Sequence, residues 1–148
     1  MVLHVATDGT ITRQNQRIGP VHPPVWTDYL SPIAISEQGD RFALAEEWGK
    51  IGIYDFDRCN GLITKFDSIE NARADSNLWF GISFSPSGRF LYVSDRRYGD
   101  PLLDQGTPSR LYQFDLQATN IMATQQLIWR SSPPCPGNPT RCRRAMGG

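Results

Sequence analysis

A stretch of seven residues recurs with its strand pattern intact. Ile33-Ala34-Ile35-Ser36-Glu37-Gln38-Gly39 is matched by Ile82-Ser83-Phe84-Ser85-Pro86-Ser87-Gly88, 49 residues later. The same spacing lays Phe42-Ala43-Leu44-Ala45 on Leu91-Tyr92-Val93-Ser94. Ile53-Tyr54-Asp55-Phe56-Asp57 and Leu111-Tyr112-Gln113-Phe114-Asp115 then match at a spacing of 58, which places a nine-residue insertion inside 96–109 of the later copy. A unit that repeats at such a period buries its apolar side against adjacent copies, so the chain is read as consecutive modules.

Each module reads as β-structure. Phe42 and Leu44 share one side of the segment 41–45, and Ile82 and Phe84 share one side of 81–85. In 50–56, Tyr54 and Phe56 fall on one side and Ile51 and Ile53 on the other. Residues 89–94 read as a strand covered on both faces, and 110–115 as a further aromatic strand. Segments of this length, separated by turn residues, predict antiparallel sheets. Residues 117–129 hold Ile121 and Met122 but also Thr119, Asn120 and Thr124, which favours a turn followed by a strand over a helix. The opening, Val2–Ala6, turn Thr7-Asp8-Gly9 and Thr10–Ile18, matches the third and fourth strands of a preceding copy.

About four strands in a period near 50 residues is the signature of propeller blades. The expected fold is all-β: a partial β-propeller of about two and a half four-stranded antiparallel blades. Residues 1–18 form a half blade, 31–68 a blade and 79–130 a blade with the inserted loop 96–109. Residues 131–148, with four Pro, three Gly and three Arg, form a disordered tail. The predicted core is Ile33, Ile35, Phe42, Leu44, Ile53, Tyr54, Phe56, Ile82, Phe84, Leu91, Val93, Leu111, Tyr112 and Phe114. On this reading Phe84→Ala should cost roughly 3–5 kcal/mol.

Ser85-Pro86-Ser87-Gly88-Arg89-Phe90-Leu91-Tyr92-Val93-Ser94 resembles the S-P-D-G hairpin of WD-like and lactonase-like β-propellers. The paired segments Ile53–Gly61 and Leu111–Leu116 are similar to propeller domains of large secreted proteins that end in a type IX secretion, gliding-motility-type sorting domain. The resemblance covers about residues 2–129. It implies a secreted or cell-surface protein with further blades, since propellers close with about 4–8. The first ten residues have no basic segment and do not read as a signal peptide. One half blade and two full blades are too few to close, so the chain is expected to be a fragment of a larger propeller or a truncated reading frame.

Charge narrows the partners. The chain carries 15 basic and 15 acidic residues. Arg141, Arg143 and Arg144 lie in the tail, leaving twelve basic against fifteen acidic groups in residues 1–130. A nucleic-acid binder would show the opposite balance. No apolar run approaches the roughly 20 residues of a membrane span. Cys59, Cys135 and Cys142 are an odd set, so at least one is unpaired within the chain. Cys135 could pair with Cys142, Cys59 with either, or all could be reduced.

Strand parity sorts the connections. In a four-stranded meander, the first and third turns fall at one end, and the second turn and the link onward at the other. The first set is short: 37–40, 57–61, 86–88 and 117–120. The second holds the long pieces 19–30, 69–78 and 96–109, with only 46–49 short. Long loops on a rigid stack are where binding resides. That end gathers Trp26, Tyr29 and Asp104 together with the candidate ligand-binding residues Trp48, Arg96, Arg97, Tyr98 and Asp100. Aromatic rings beside Arg and Asp suit a protein or a carbohydrate.

No catalytic residue, metal site or cofactor is assigned. Gly81-Ile82-Ser83-Phe84-Ser85 approaches the nucleophile elbow, but a strand follows where the elbow needs a helix. Asp55 to Gly61 hints at a calcium loop, yet Phe66 stands at the twelfth position, so a strand ending in an Asp-to-Gly turn is preferred. Asp95, Asp100 and Asp104 could take a hard cation, but Arg96, Arg97 and Arg110 beside them favour loop closure by ion pairs. His22 could serve as a base, though Pro23-Pro24 after it reads as a stiff link between blades. The leading function is a non-catalytic interaction or scaffold module. The alternative is part of a lactonase-like hydrolase or isomerase.

Overall fold

The computed structural model describes residues 2–19, 32–46, 50–70, 77–97 and 109–131. They form ten strands and no α-helix: β1 (Val2–Val5), β2 (Ile11–Gln14), β3 (Ile33–Ile35), β4 (Arg41–Glu46), β5 (Lys50–Asp57), β6 (Leu62–Glu70), β7 (Asn77–Phe84), β8 (Phe90–Arg97), β9 (Arg110–Asp115) and β10 (Gln126–Arg130). Among the described residues a 3-10 turn, Met122–Thr124, precedes β10. The strands make one two-stranded hairpin, β1-β2, and two four-stranded antiparallel meanders, β3-β4-β5-β6 and β7-β8-β9-β10. The protein is all-β, with two whole blade-like sheets and a partial one.

The two sheets repeat each other down to single hydrogen bonds. Ser36 N donates to Arg41 O (3.0 Å) and Gly39 N to Ser36 O (2.8 Å); 49 residues on, Ser85 N donates to Phe90 O (2.8 Å) and Gly88 N to Ser85 O (2.9 Å). The Ser36 hydroxyl accepts from Arg41 N (3.1 Å), as the Ser85 hydroxyl does from Phe90 N (3.0 Å). Gly39 and Gly88 close the turns at φ +68° and +69°, a conformation that costs an L-residue with a side chain roughly 1–2 kcal/mol. The Ser-x-x-Gly spacing thus builds the same hairpin twice.

The core lies between the sheets. Ala43, Ala45, Ile51, Ile53 and Ile69 of the first sheet meet Trp79, Leu91, Val93, Tyr112 and Phe114 of the second, with Ile121 beside them. The period of two explains the set: Ala43 pairs with Ile53 and Ala45 with Ile51, so all four point the same way. Trp79 packs edge-on against Tyr112 (6.0 Å) and Phe114 (6.3 Å). A bulge between Trp79 and Gly81 turns the indole inward.

Two predicted core residues are corrected. Ile33 and Ile35 are 62% and 67% exposed. Their matches, Ile82 and Phe84, pack on the core because the first sheet covers them; among the described residues, nothing covers β3 in the same way. Phe42, Leu44, Phe56, Phe84 and Leu111 are half-buried. Ile53, Tyr54, Leu91, Val93, Tyr112 and Phe114 are buried as expected. The strand expected over residues 10–18 is shorter, at Ile11–Gln14, and the link expected over 69–78 is trimmed by β6 reaching Glu70 and β7 starting at Asn77. Of the tail expected over 131–148, Ser131 is placed and hydrogen-bonded to Ser109 rather than disordered, and residues 132–148 lie outside the described residues.

The outer face of the first sheet is aromatic. Tyr54 stacks on Phe42 (4.6 Å) and tilts against Phe66 (5.1 Å). Its ring lies over Gly52, where an added Cβ would sit 2.8 Å from it, and its hydroxyl is 2.6 Å from the Cβ position of Gly19 (φ +89°). Ile63 N donates to the Gln16 side chain (2.8 Å), tying the segment after β2 to the same sheet. Gly52→Ala should displace the Tyr54 ring and lower stability by about 1–3 kcal/mol; urea unfolding followed by far-UV circular dichroism measures it.

Candidate functional site

The strand order places the turns 36–40, 58–61, 85–89 and 116–125 at one end of the two sheets, and the connections after β4, β6 and β8 at the other. The candidate ligand residues belong to the second end. Trp48, Tyr98 and Asp100 lie outside the described residues, as do His22, Trp26, Tyr29 and Asp104. Arg96 and Arg97 are placed as the last two residues of β8, opposite Leu78 and Asn77, their side chains outside the description.

The base of the inserted loop is described and is fastened. Asp95, at the core edge of β8 and 4% exposed, accepts a hydrogen bond from Arg110 N (2.8 Å). The Arg110 guanidinium stands 3.9 Å from the same carboxylate and donates to the Tyr112 hydroxyl (3.2 Å). One residue further out, Ser131 N donates to Ser109 O (2.8 Å) and Ser109 N to the Ser131 hydroxyl (2.8 Å). The anticipated closure by ion pairs therefore holds for Asp95 and Arg110. Hydrogen bonds at the base of a loop fix where its tip projects, whatever the tip then binds.

The short-turn end carries a cleft that sequence reasoning missed. Gln38, Asp40 and Arg41 of the first sheet and Ser87, Gly88, Arg89 and Gln117 of the second line a cavity of about 190 Å³. The Gln38 side-chain amide bridges the sheets by donating to Pro86 O (2.9 Å). Arg89 holds Asp115 with two nitrogens, Nε at 3.2 Å and Nη2 at 2.7 Å. Arg41 pairs with Asp55 (3.2 Å), and Asp40 accepts from the Ser36 hydroxyl (2.8 Å). The signal for this cleft was the doubled Ser-x-x-Gly turn, which brings two hairpin tips side by side. Arg41 and Arg89 are held by carboxylates and Asp40 by a hydroxyl, so the arrangement braces the adjoining ends of the two sheets.

Three aspartates do the same turn-closing work. The Arg89 guanidinium, and then the Gln117 N–H, hold the Asp115 carboxyl below its ordinary 3.8. The Asn60 side-chain amide, with the N–H groups of Asn60 and Cys59, lowers Asp57. Thr10 N–H lowers Asp8. A lowered folded-state pKa means the unfolded chain takes up protons first as pH falls. These carboxylates therefore support the fold fully above the ordinary carboxylate range and lose that support as pH drops through their folded values. The urea midpoint should stay level to about pH 5 and fall toward about pH 2. Asp115→Asn should shrink the fall, read from midpoints at several pH values.

Asp57 thus caps the β5-β6 turn, in place of the calcium loop its spacing hints at. Among the described residues no three His, Cys, Asp or Glu side chains gather as a metal set. Ser83 lies on β7, exposed, and β7 runs through a turn into β8, so the elbow geometry is not formed. No helix among the described residues is long and apolar enough to cross a membrane. Neither a protein-family model nor a curated protein sequence matches the chain.

Proposed function

We propose that this chain is a non-catalytic interaction or scaffold module of the β-propeller type, part of a larger secreted or cell-surface protein, binding protein or carbohydrate at its long-loop end. The observation that carries the reading is the pair of meanders built from one repeat, with the base of the inserted loop fastened at the Asp95–Arg110 pair. A stiff sheet stack that spends its charged side chains on turns and braces supports presentation of loops better than chemistry on a substrate. Trp48, Arg96, Arg97, Tyr98 and Asp100 are the residues assigned to binding. The compartment follows from the resemblance of the Ser85–Ser94 hairpin and the Ile53–Gly61 segment.

A turnover assay of the chain and of any longer parent, with sugar-acid lactones and cyclic muconate-type esters, tests the reading. No turnover above buffer is expected. Turnover abolished by His22→Ala or Arg96→Ala would replace the scaffold with the lactonase-like enzyme. A glycan and peptide array probed with the chain should give ligands whose capture is lost in Trp48→Ala and Tyr98→Ala.

A further inference from the structure

The β1-β2 hairpin has a well-built turn but leaves its apolar side in solvent. Ala6 N donates to Thr10 O (2.9 Å), Gly9 N to Ala6 O (3.0 Å), and the Asp8 carboxylate accepts from Thr10 N (2.8 Å). The register pairs Leu3 with Arg13 and Val5 with Ile11, so Leu3, Val5 and Ile11 share one face. Thr12 and Gln14 fall on the other. The three apolar side chains are 57%, 64% and 64% exposed. Two strands alone are marginally stable in water at best and need an apolar surface to hold them.

Such a surface lies within reach. The segment after β2 already covers part of the outer face of the first sheet, where Gly19 lies against the buried Tyr54. Beside that contact, Ile33, Ile35, Phe42, Phe56 and Ile63 line an apolar groove of about 300 Å³, with Ile33 and Ile35 exposed. Arg41 lines it too, and pairs with Asp55 (3.2 Å). Ile63 is also the residue whose N–H donates to the Gln16 side chain (2.8 Å). This bond fixes the root of the hairpin at the rim of the groove, since only Asn15 separates Gln16 from β2. Ile11 stands five residues before Gln16, a reach of about 17 Å in extended chain. Ile63 and Ile35 lie on strands three apart, about 14 Å across the sheet. The tether is long enough for the hairpin to lie over the groove. Arg13, at the end of the apolar face, can run its stem along the sheet and keep its guanidinium in water.

We infer that the β1-β2 hairpin is a strap for this groove: it folds back about Asn15 and lays Leu3, Val5 and Ile11 on Ile33, Ile35 and Phe56. The arrangement with those side chains in solvent is its open form. Closure buries two exposed apolar faces against each other and gives the hairpin the support that two strands lack. It also withholds the groove from other chains, because an exposed apolar patch invites association. The strap needs only the hairpin and the first sheet, and goes beyond the scaffold reading, whatever the long loops bind.

Amide hydrogen exchange of the full chain, resolved by residue, reads closure. The β1-β2 amides should exchange about tenfold more slowly, or slower still, than in a peptide of residues 1–19. Methyl nuclear Overhauser effects should join Val5 or Ile11 to Ile35. Ile35→Asp should return the hairpin amides to the peptide rate while β4, β5 and β8 keep their protection, which shows that both sheets remain folded. Val5→Asp breaks the same contact from the other side. It too should free the hairpin amides, and binding of an anilinonaphthalene sulfonate dye should rise severalfold as the groove is uncovered. If the first sheet loses its protection in Ile35→Asp, Val5→Asp decides alone, and unchanged hairpin exchange there overturns the inference. Hairpin amides at the peptide rate in the unsubstituted chain would overturn it, as would protection that survives Ile35→Asp. Protection that grows with protein concentration would put the hairpin on another copy's groove and would overturn the strap as well.

Discussion

Phe114→Ala should remove about 3–5 kcal/mol of stability, the range for emptying a closed aromatic site. Phe114 is fully buried, the last residue but one of β9, opposite Leu91, with the Trp79 ring edge-on at 6.3 Å. Its neighbours are on strands in both sheets, so the cavity cannot collapse without shifting the sheet contact itself. A loss of that size is a large share of the roughly 5–15 kcal/mol that holds an ordinary domain. Urea unfolding should show a midpoint far below that of the unsubstituted chain, and the emission of the buried Trp79 should move to the red. Phe84→Ala is the internal comparison. Phe84 is only half-buried, so its cost should fall short of the value expected from its place in the repeat. Equal losses at the two positions would contradict the burial difference on which the contrast depends.

Alternation along single strands was legible in the sequence. Residues 110–115 emerge as β9 without change, and the opposed facing of Ile51 and Ile53 against Tyr54 and Phe56 is what β5 displays. Periodicity tells which side chains share a face. It does not tell which face has a neighbour, because that depends on the number of sheets and not on local pattern. Ile33 and Ile35 were misplaced for this reason: they carry the same signal as Ile82 and Phe84, but among the described residues only the two-stranded β1-β2 hairpin, and no four-stranded sheet, comes before them. Ala43 and Ala45, fully buried, were passed over because a methyl group gives little hydrophobic signal, although small residues are what lets two sheets approach. Trp79 was hidden by the bulge that shifts β7 out of simple alternation.

The candidate site was legible only in its anchors. Charge and proximity set Asp95, Asp100 and Asp104 against Arg96, Arg97 and Arg110; that Asp95 pairs with Arg110 comes from their facing each other on adjacent strands. The short-turn cleft depends on two hairpin tips, 49 residues apart, meeting through Gln38 and Pro86. No local rule announces that meeting, and the repeat offset alone says that the tips are alike, not that they touch.

Ala43→Tyr should cost about 3 kcal/mol or more, at the upper end of what overpacking a closed core does. The residue installed is the one the repeat itself carries at the matching position, Tyr92. Every local requirement is met: the strand, its register and its hairpin are shared, and tyrosine is a better strand former than alanine. What differs is the far side. Ala43 faces the second sheet with no exposed surface, whereas Tyr92 faces away from the core and is half-buried. A ring at position 43 has to push Leu91, Val93 or Phe114 aside, and all three are fully buried. The reciprocal change, Tyr92→Ala, should be mild, about 1 kcal/mol or less, as for a substitution outside a packed core. Paired urea titrations of the two variants check the asymmetry. Equal tolerance at both positions would mean that the sheets do not pack through Ala43, and the core described between them would have to be redrawn.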